Sequence, residues 1–106
     1  MAARVNKDEF EGKVLKSDIP VLVDFYSDSC VPCKKMTPVI GDVEDDMEGK
    51  LAVYKVNINF DTELAESYDV QSVPTLLLFD KGSEKARQNG AVRKPQLVEW
   101  IEENLK

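Results

Sequence analysis

A chain of 106 residues with 42% hydrophobic content, five Gly and five Pro is sized for one compact domain over residues 1–106 and leaves no room for a second. Charged residues of both signs make up 32% of it and the net charge is −6, which argues against a face built to neutralise nucleic-acid phosphates or an anionic membrane. No segment approaches the roughly 18 to 20 apolar residues of a membrane span, and Met1-Ala2-Ala3-Arg4-Val5-Asn6 lacks the apolar stretch of a secretory leader, so a cytoplasmic protein is expected.

The chain carries no internal repeat, low-complexity tract or Pro/Gly/Ser-rich linker. Residues 6–16 predict a first amphipathic helix with Phe10 and Val14 one turn apart, weakened at Gly12 by about 1 kcal/mol relative to Ala. Pro20 introduces residues 21–27, a nearly continuous run of β-forming residues, the pattern of a strand covered on both faces. Over residues 31–48 the apolar positions Met36, Val39, Ile40, Val43 and Met47 are spaced by three and four, and Gly49 supplies a stop; Pro38 inside this helix should kink its axis.

Residues 51–59 alternate in the manner of a second strand, and residues 62–68 form a short helix opened by Asp61 or Thr62. After Pro74 comes a third buried strand, Thr75-Leu76-Leu77-Leu78-Phe79, and Lys81-Gly82 turns into a polar strand near residues 85–89 that suits a sheet edge. Residues 95–105 place Leu97, Val98, Ile101 and Leu105 on one side of a last helix. The order αβαβαββα predicts an α/β domain, a central mixed β-sheet flanked by helices on both faces.

Both cysteines lie in Asp28-Ser29-Cys30-Val31-Pro32-Cys33, where a buried strand ends and the long helix begins. Cys30 falls at the helix N-terminus, where unpaired N–H groups and the helix dipole favour a thiolate; Cys33 is one turn deeper, where desolvation favours the thiol. A disulfide closing so short a loop adds only about 2 kcal/mol, against about 4.7 kcal/mol for a 100-residue loop, so a purely structural link gains little. The same closeness presents the second thiol at very high effective concentration, which two-step exchange requires. Two cysteines are too few for a disulfide framework, and without histidine a zinc site would need carboxylates or a second chain.

Asp24 interrupts the apolar strand on the same alternating side as Leu22 and Tyr26; burial there should raise its pKa toward neutrality, unless the position has water access at a sheet edge. Lys34 and Lys35 read as a plain solvated helix face, with added positive potential near the thiolate as the alternative.

Cys30-Val31-Pro32-Cys33, the preceding Val21-Leu22-Val23-Asp24-Phe25, the later Val73-Pro74-Thr75-Leu76-Leu77-Leu78-Phe79 and Gly90-Ala91 together resemble the thioredoxin family in order and spacing over nearly the whole chain. The resemblance implies the thioredoxin fold and a protein-disulfide oxidoreductase that reduces client disulfides through Cys30 and Cys33. It casts Asp24 as acceptor, through water, of the Cys33 proton, and Lys55 as the cation tempering that acid, with an ordinary solvated strand lysine as the alternative. It makes Pro74 a cis-proline facing the cysteine pair. Val31, Pro32, Val73, Pro74, Gly90 and Ala91 would then border the client-binding surface, with the Val73 backbone pairing an extended client segment.

The expected cofactor is none beyond the redox-active Cys30–Cys33 disulfide. The expected partners are client proteins with exposed disulfides and a thioredoxin-reductase-type electron donor, with no nucleic acid, no membrane and a monomeric state. Three positions depart from the family pattern: Ser29 stands where a tryptophan is usual, Val31 replaces a glycine, and Tyr26 replaces another tryptophan. Those departures keep open a thioredoxin-fold binding or regulatory protein and a higher-potential oxidant or isomerase.

Overall fold

The run after Pro20 is the middle of a five-stranded sheet in the computed structural model, which describes residues 2–106. In chain order the elements are β1 (Ala3–Arg4), α1 (Lys7–Phe10), which widens into a π-helical turn at Glu11–Leu15, β2 (Val21–Tyr26), α2 (Val31–Asp46), β3 (Ala52–Asn57), α3 (Thr62–Ser67), β4 (Thr75–Asp80), β5 (Ser83–Asn89) and α4 (Lys94–Asn104). The strands lie in the order β1-β3-β2-β4-β5; β1, β3 and β2 run parallel, and β4 and β5 are antiparallel to their neighbours. This mixed sheet with four helices is the thioredoxin fold expected from the sequence.

Side-chain alternation along the strands divides the core in two. Val21, Val23 and Phe25 of β2 join Leu77 and Phe79 of β4 against Phe10, Val14, Leu64 and Ala65 on one face of the sheet. Leu22, Leu76 and Leu78 point the other way, with Val53, to meet Met36, Ile40 and Val43 of α2 and Leu97 and Ile101 of α4. Asp24 shares the parity of Leu22 and therefore lies on the α2 side. Lys55, opposite Asp24 in the β2–β3 register, shares the parity of Val53 and lies there too. Phe10, Tyr68 and Phe79 fix the first face by tilted and edge-on contacts at 5.3–5.7 Å between ring centroids.

The sequence reading lacks β1, two exposed residues that extend the sheet beyond β3 in register with Tyr54 and Lys55. No apolar alternation marks so short an edge strand. The first helix falls where expected, capped by Asn6 and Glu9 in reciprocal hydrogen bonds. α2 runs its 16 residues through Pro38 without ending. Asp61 sits at the N-cap of α3, yet its carboxylate accepts from the Lys7 backbone N–H at 3.2 Å and not from its own helix.

Candidate active site

The parallel strands β2 and β3 end on the same side of the sheet, β4 begins there, and α2 starts from the loop after β2. That end gathers the residues singled out in the sequence. Cys30 is the N-cap of α2 with an extended backbone, and its Sγ accepts from the Cys33 backbone N–H at 3.2 Å. The two cysteines are joined as a disulfide with Cα atoms 5.2 Å apart. Cys30 is half-buried, whereas Cys33 is 4% exposed. Pro32 lies in the first turn, where backbone N–H groups have no intrahelical acceptor, so its missing N–H removes no bond.

The Val73–Pro74 bond is cis, and the Val73 carbonyl oxygen lies 3.7 Å from Cys30 Sγ. Two contacts hold this segment. The Thr75 hydroxyl, buried, donates to the Ser72 carbonyl at 2.7 Å, and Gly90 donates its N–H to the Pro74 carbonyl at 2.8 Å. Gly90, the residue after β5, has φ +89°, a backbone that L side chains rarely adopt. Ala91 follows it on the exposed surface, and Val31 is 60% exposed beside the disulfide.

Asp24 is only 6% exposed, and its Oδ1 has no hydrogen-bond partner among the described residues. Desolvation drives its pKa up to about 7, opposed in smaller measure by the positive charge of Lys55. Lys55 itself places Nζ 5.4 Å from the centre of the Tyr26 ring, so it offsets the carboxylate charge from a distance and rests on an aromatic face. A cavity of about 150 Å³ connects these groups: Asp24, Cys33 and Lys55 all line it.

One residue of this region escaped the sequence reading. Asn57, 1% exposed at the end of β3, donates from Nδ2 to Asp28 Oδ2 at 3.2 Å and accepts the Asn59 N–H on Oδ1 at 2.9 Å. It ties the loop that precedes Cys30 to the turn after β3. An amide at the end of an alternating strand, where β-formers are preferred, is the only signal that could have marked it.

Chemically, the arrangement offers one accessible sulfur at a helix N-terminus, a second sheltered below it and a near-neutral acid on the same side of the sheet. Among the described residues, no group of three or more Cys, His, Asp or Glu is placed to hold a metal, and no helix is long and apolar enough to cross a membrane.

The family model described as Thioredoxin matches residues 1–103. The chain is 43% identical over 105 residues to the thioredoxin of Rickettsia bellii, covering 99% of this chain and 100% of that one. It is 42% identical over 101 residues to the thioredoxin of Pseudomonas aeruginosa (95% and 94% covered) and 39% identical over 104 residues to thioredoxin 1 of Nostoc sp. (98% and 97%).

Proposed function

The chain belongs to the thioredoxin family and is a dithiol–disulfide oxidoreductase, and from that premise we propose that it reduces disulfides of client proteins as a cytoplasmic, single-domain monomer over residues 1–106. The family implies disulfide-containing clients and a reductase partner. In the proposed cycle the Cys30 thiolate attacks a client disulfide; one client sulfur leaves and takes up a proton, and the other is held as a mixed disulfide. Cys33 gives its proton through water to the Asp24 carboxylate, and its thiolate then attacks Cys30 Sγ, breaking the mixed disulfide. The client leaves with both sulfurs reduced and the chain holds the Cys30–Cys33 disulfide. An external reductase returns two electrons, and no metal or organic cofactor enters the scheme.

The observation that carries this reading is the inequality of the two sulfurs. Cys30 sits at the head of a 16-residue helix with a backbone N–H directed at it, and Cys33 is buried one turn below. The N–H and dipole favour a thiolate at Cys30 once the bond is reduced. Asp24, on the α2 side with an oxygen unpaired among the described residues, suits the base, and Lys55 keeps its pKa from rising further. Val31, Pro32, Val73, Pro74, Gly90 and Ala91 form the proposed client surface, with the Val73 backbone next to Cys30 as its pairing edge.

Insulin reduction with dithiothreitol tests the proposal. Cys30→Ser should abolish the acceleration while Glu102→Gln, on the exposed side of α4, retains it; equal activity in both would refute it. Ser29 and Val31 favour one second reading, a higher-potential oxidant or isomerase. Equilibration against glutathione separates the two, since a strongly reducing pair excludes the second.

A further inference from the structure

The charges on α2 and α4 run against the helix dipole. α2 carries Lys34 and Lys35 near its start and Glu44, Asp45 and Asp46 in its last turn; α4 follows Arg93, begins at Lys94 and reaches its end through Glu102 and Glu103. Neither helix has a carboxylate in its first turn or a cation in its last. Cations at the positive end of a helix and carboxylates at the negative end both weaken it, so stability does not account for this placement. Such departures from local preference are expected where a surface serves a function.

An open groove of about 380 Å³ lies between α2 and the residues that lead into α4, lined by Lys35, Met36 and Val39 on one side and Ala91, Val92 and Arg93 on the other. Its floor is apolar and fixed, since Met36 is 1% exposed and its Sδ accepts the Val92 backbone N–H at 3.3 Å. Its rim is cationic. Lys35 and Arg93 are exposed, and among the described residues neither pairs with a carboxylate and no carboxylate lines the groove. Asp42 and Asp46, further along α2, act on Lys94, whose Nζ lies 2.6 Å from Asp46 Oδ2. Although the chain carries −6 overall, exposed charges more than about 8 Å apart are largely screened at physiological salt, so the groove's own sign governs what enters it.

The groove continues the proposed client surface, because Ala91 belongs to both. Lys35 lies five residues beyond Cys30, about 7.5 Å along the helix axis, a span that an extended client covers in about two or three residues. An apolar floor under a cationic rim suits a segment that carries carboxylates beside an apolar side chain, whereas a basic segment would be repelled by Lys35 and Arg93. We infer that this groove selects client disulfides by their flanks, with Lys35 and Arg93 receiving carboxylates about two or three residues from the cysteine that Cys30 attacks. The inference rests on the client reduction proposed above and narrows it to disulfides in acidic segments.

The probes are two peptide pairs, each joined by a disulfide and carrying a fluorophore on one half and a quencher on the other. One pair has aspartates two and three positions to either side of its cysteines, the other serines at the same positions. The pre-reduced full chain is mixed with each at about 0.15 M salt, and the ratio of the aspartate rate to the serine rate is taken within each protein. Any change in basal rate cancels in that ratio, and comparing ratios between proteins removes the intrinsic reactivity of the peptides. Lys35→Glu combined with Arg93→Glu should lower the ratio roughly tenfold. Lys16→Glu combined with Lys50→Glu makes the same change of net charge at exposed positions off the groove and should leave the ratio within about twofold of the parent's. At about 1 M salt the difference between parent and groove variant should largely vanish. A ratio unchanged in the groove variant, or lowered equally in both variants, overturns the inference while leaving client reduction standing. A parent chain that reduces neither peptide pair overturns client reduction itself.

Discussion

Burial of Asp24 makes the stability of this protein depend on pH with a sign opposite to that of an ordinary salt-bridged carboxylate. In the fold its pKa is raised from 3.8 to about 7, because the charged form is desolvated by more than Lys55 restores. The native state therefore holds a proton that the unfolded chain has released between those two values, and stability falls as pH rises across that window. At about 1.4 kcal/mol per unit, the displacement corresponds to about 4 kcal/mol of stability, fully present below about pH 4 and fully lost above about pH 7. Asp24→Asn carries no titration at this position. Urea unfolding of the oxidised parent and variant at matched pH should show a difference in unfolding free energy that moves in favour of the variant by about 4 kcal/mol between about pH 4 and about pH 8, about half of it by pH 5.5. The constant desolvation of the asparagine amide cancels, since only the change with pH is read. A difference that stays flat over this range would refute the reasoning, because it would place the native acid at its unfolded pKa.

Removing the positive charge in Lys55→Met should push the Asp24 pKa higher, read as an upward move of the carboxyl titration by carbon NMR; an unchanged midpoint would exclude the coupling. In Cys33→Ser the mixed disulfide with a client should accumulate and be visible on a non-reducing gel, whereas Cys30→Ser should form none. Gly49→Ala and Gly82→Ala both place an L side chain at φ above +80°, at about 1–2 kcal/mol each, but at Gly82 the added Cβ also meets the Leu15 carbonyl at 3.1 Å; Gly82→Ala should lower the unfolding free energy by the larger amount. Phe79→Ala, which removes the ring that Phe10 and Tyr68 both pack against, should cost about 3–5 kcal/mol in urea unfolding.

Much of the site was legible along the chain because its signals are local. Two cysteines in one helical turn after a buried strand, a carboxylate in an apolar run and an X-Pro ahead of another buried strand each announce themselves within a few residues. Other contributions come from pairing between distant segments. Asn57 acts on Asp28, 29 positions away, and Gly90 acts on Pro74; neither partner can be read from the residue itself. β1 was hidden for a related reason, since two exposed residues become a strand only when β3 offers them an edge.

The amino-acid order thus determined the alternation of strands and helices, the chemical inequality of the cysteines and the presence of an acid that would resist ionisation, because periodicity, helix ends and burial of an apolar run are properties of contiguous residues. Tertiary structure decided which face each of these occupies. Parity along β2 and the register Asp24 opposite Lys55 put acid and lysine on the α2 side together, the packing of the Val73–Pro74 segment set the Val73 carbonyl 3.7 Å from Cys30 Sγ, and a cavity lined by Asp24, Cys33 and Lys55 was left between these elements. Such relations depend on how separate elements pack, and packing is settled only when all of them bury their apolar faces at once.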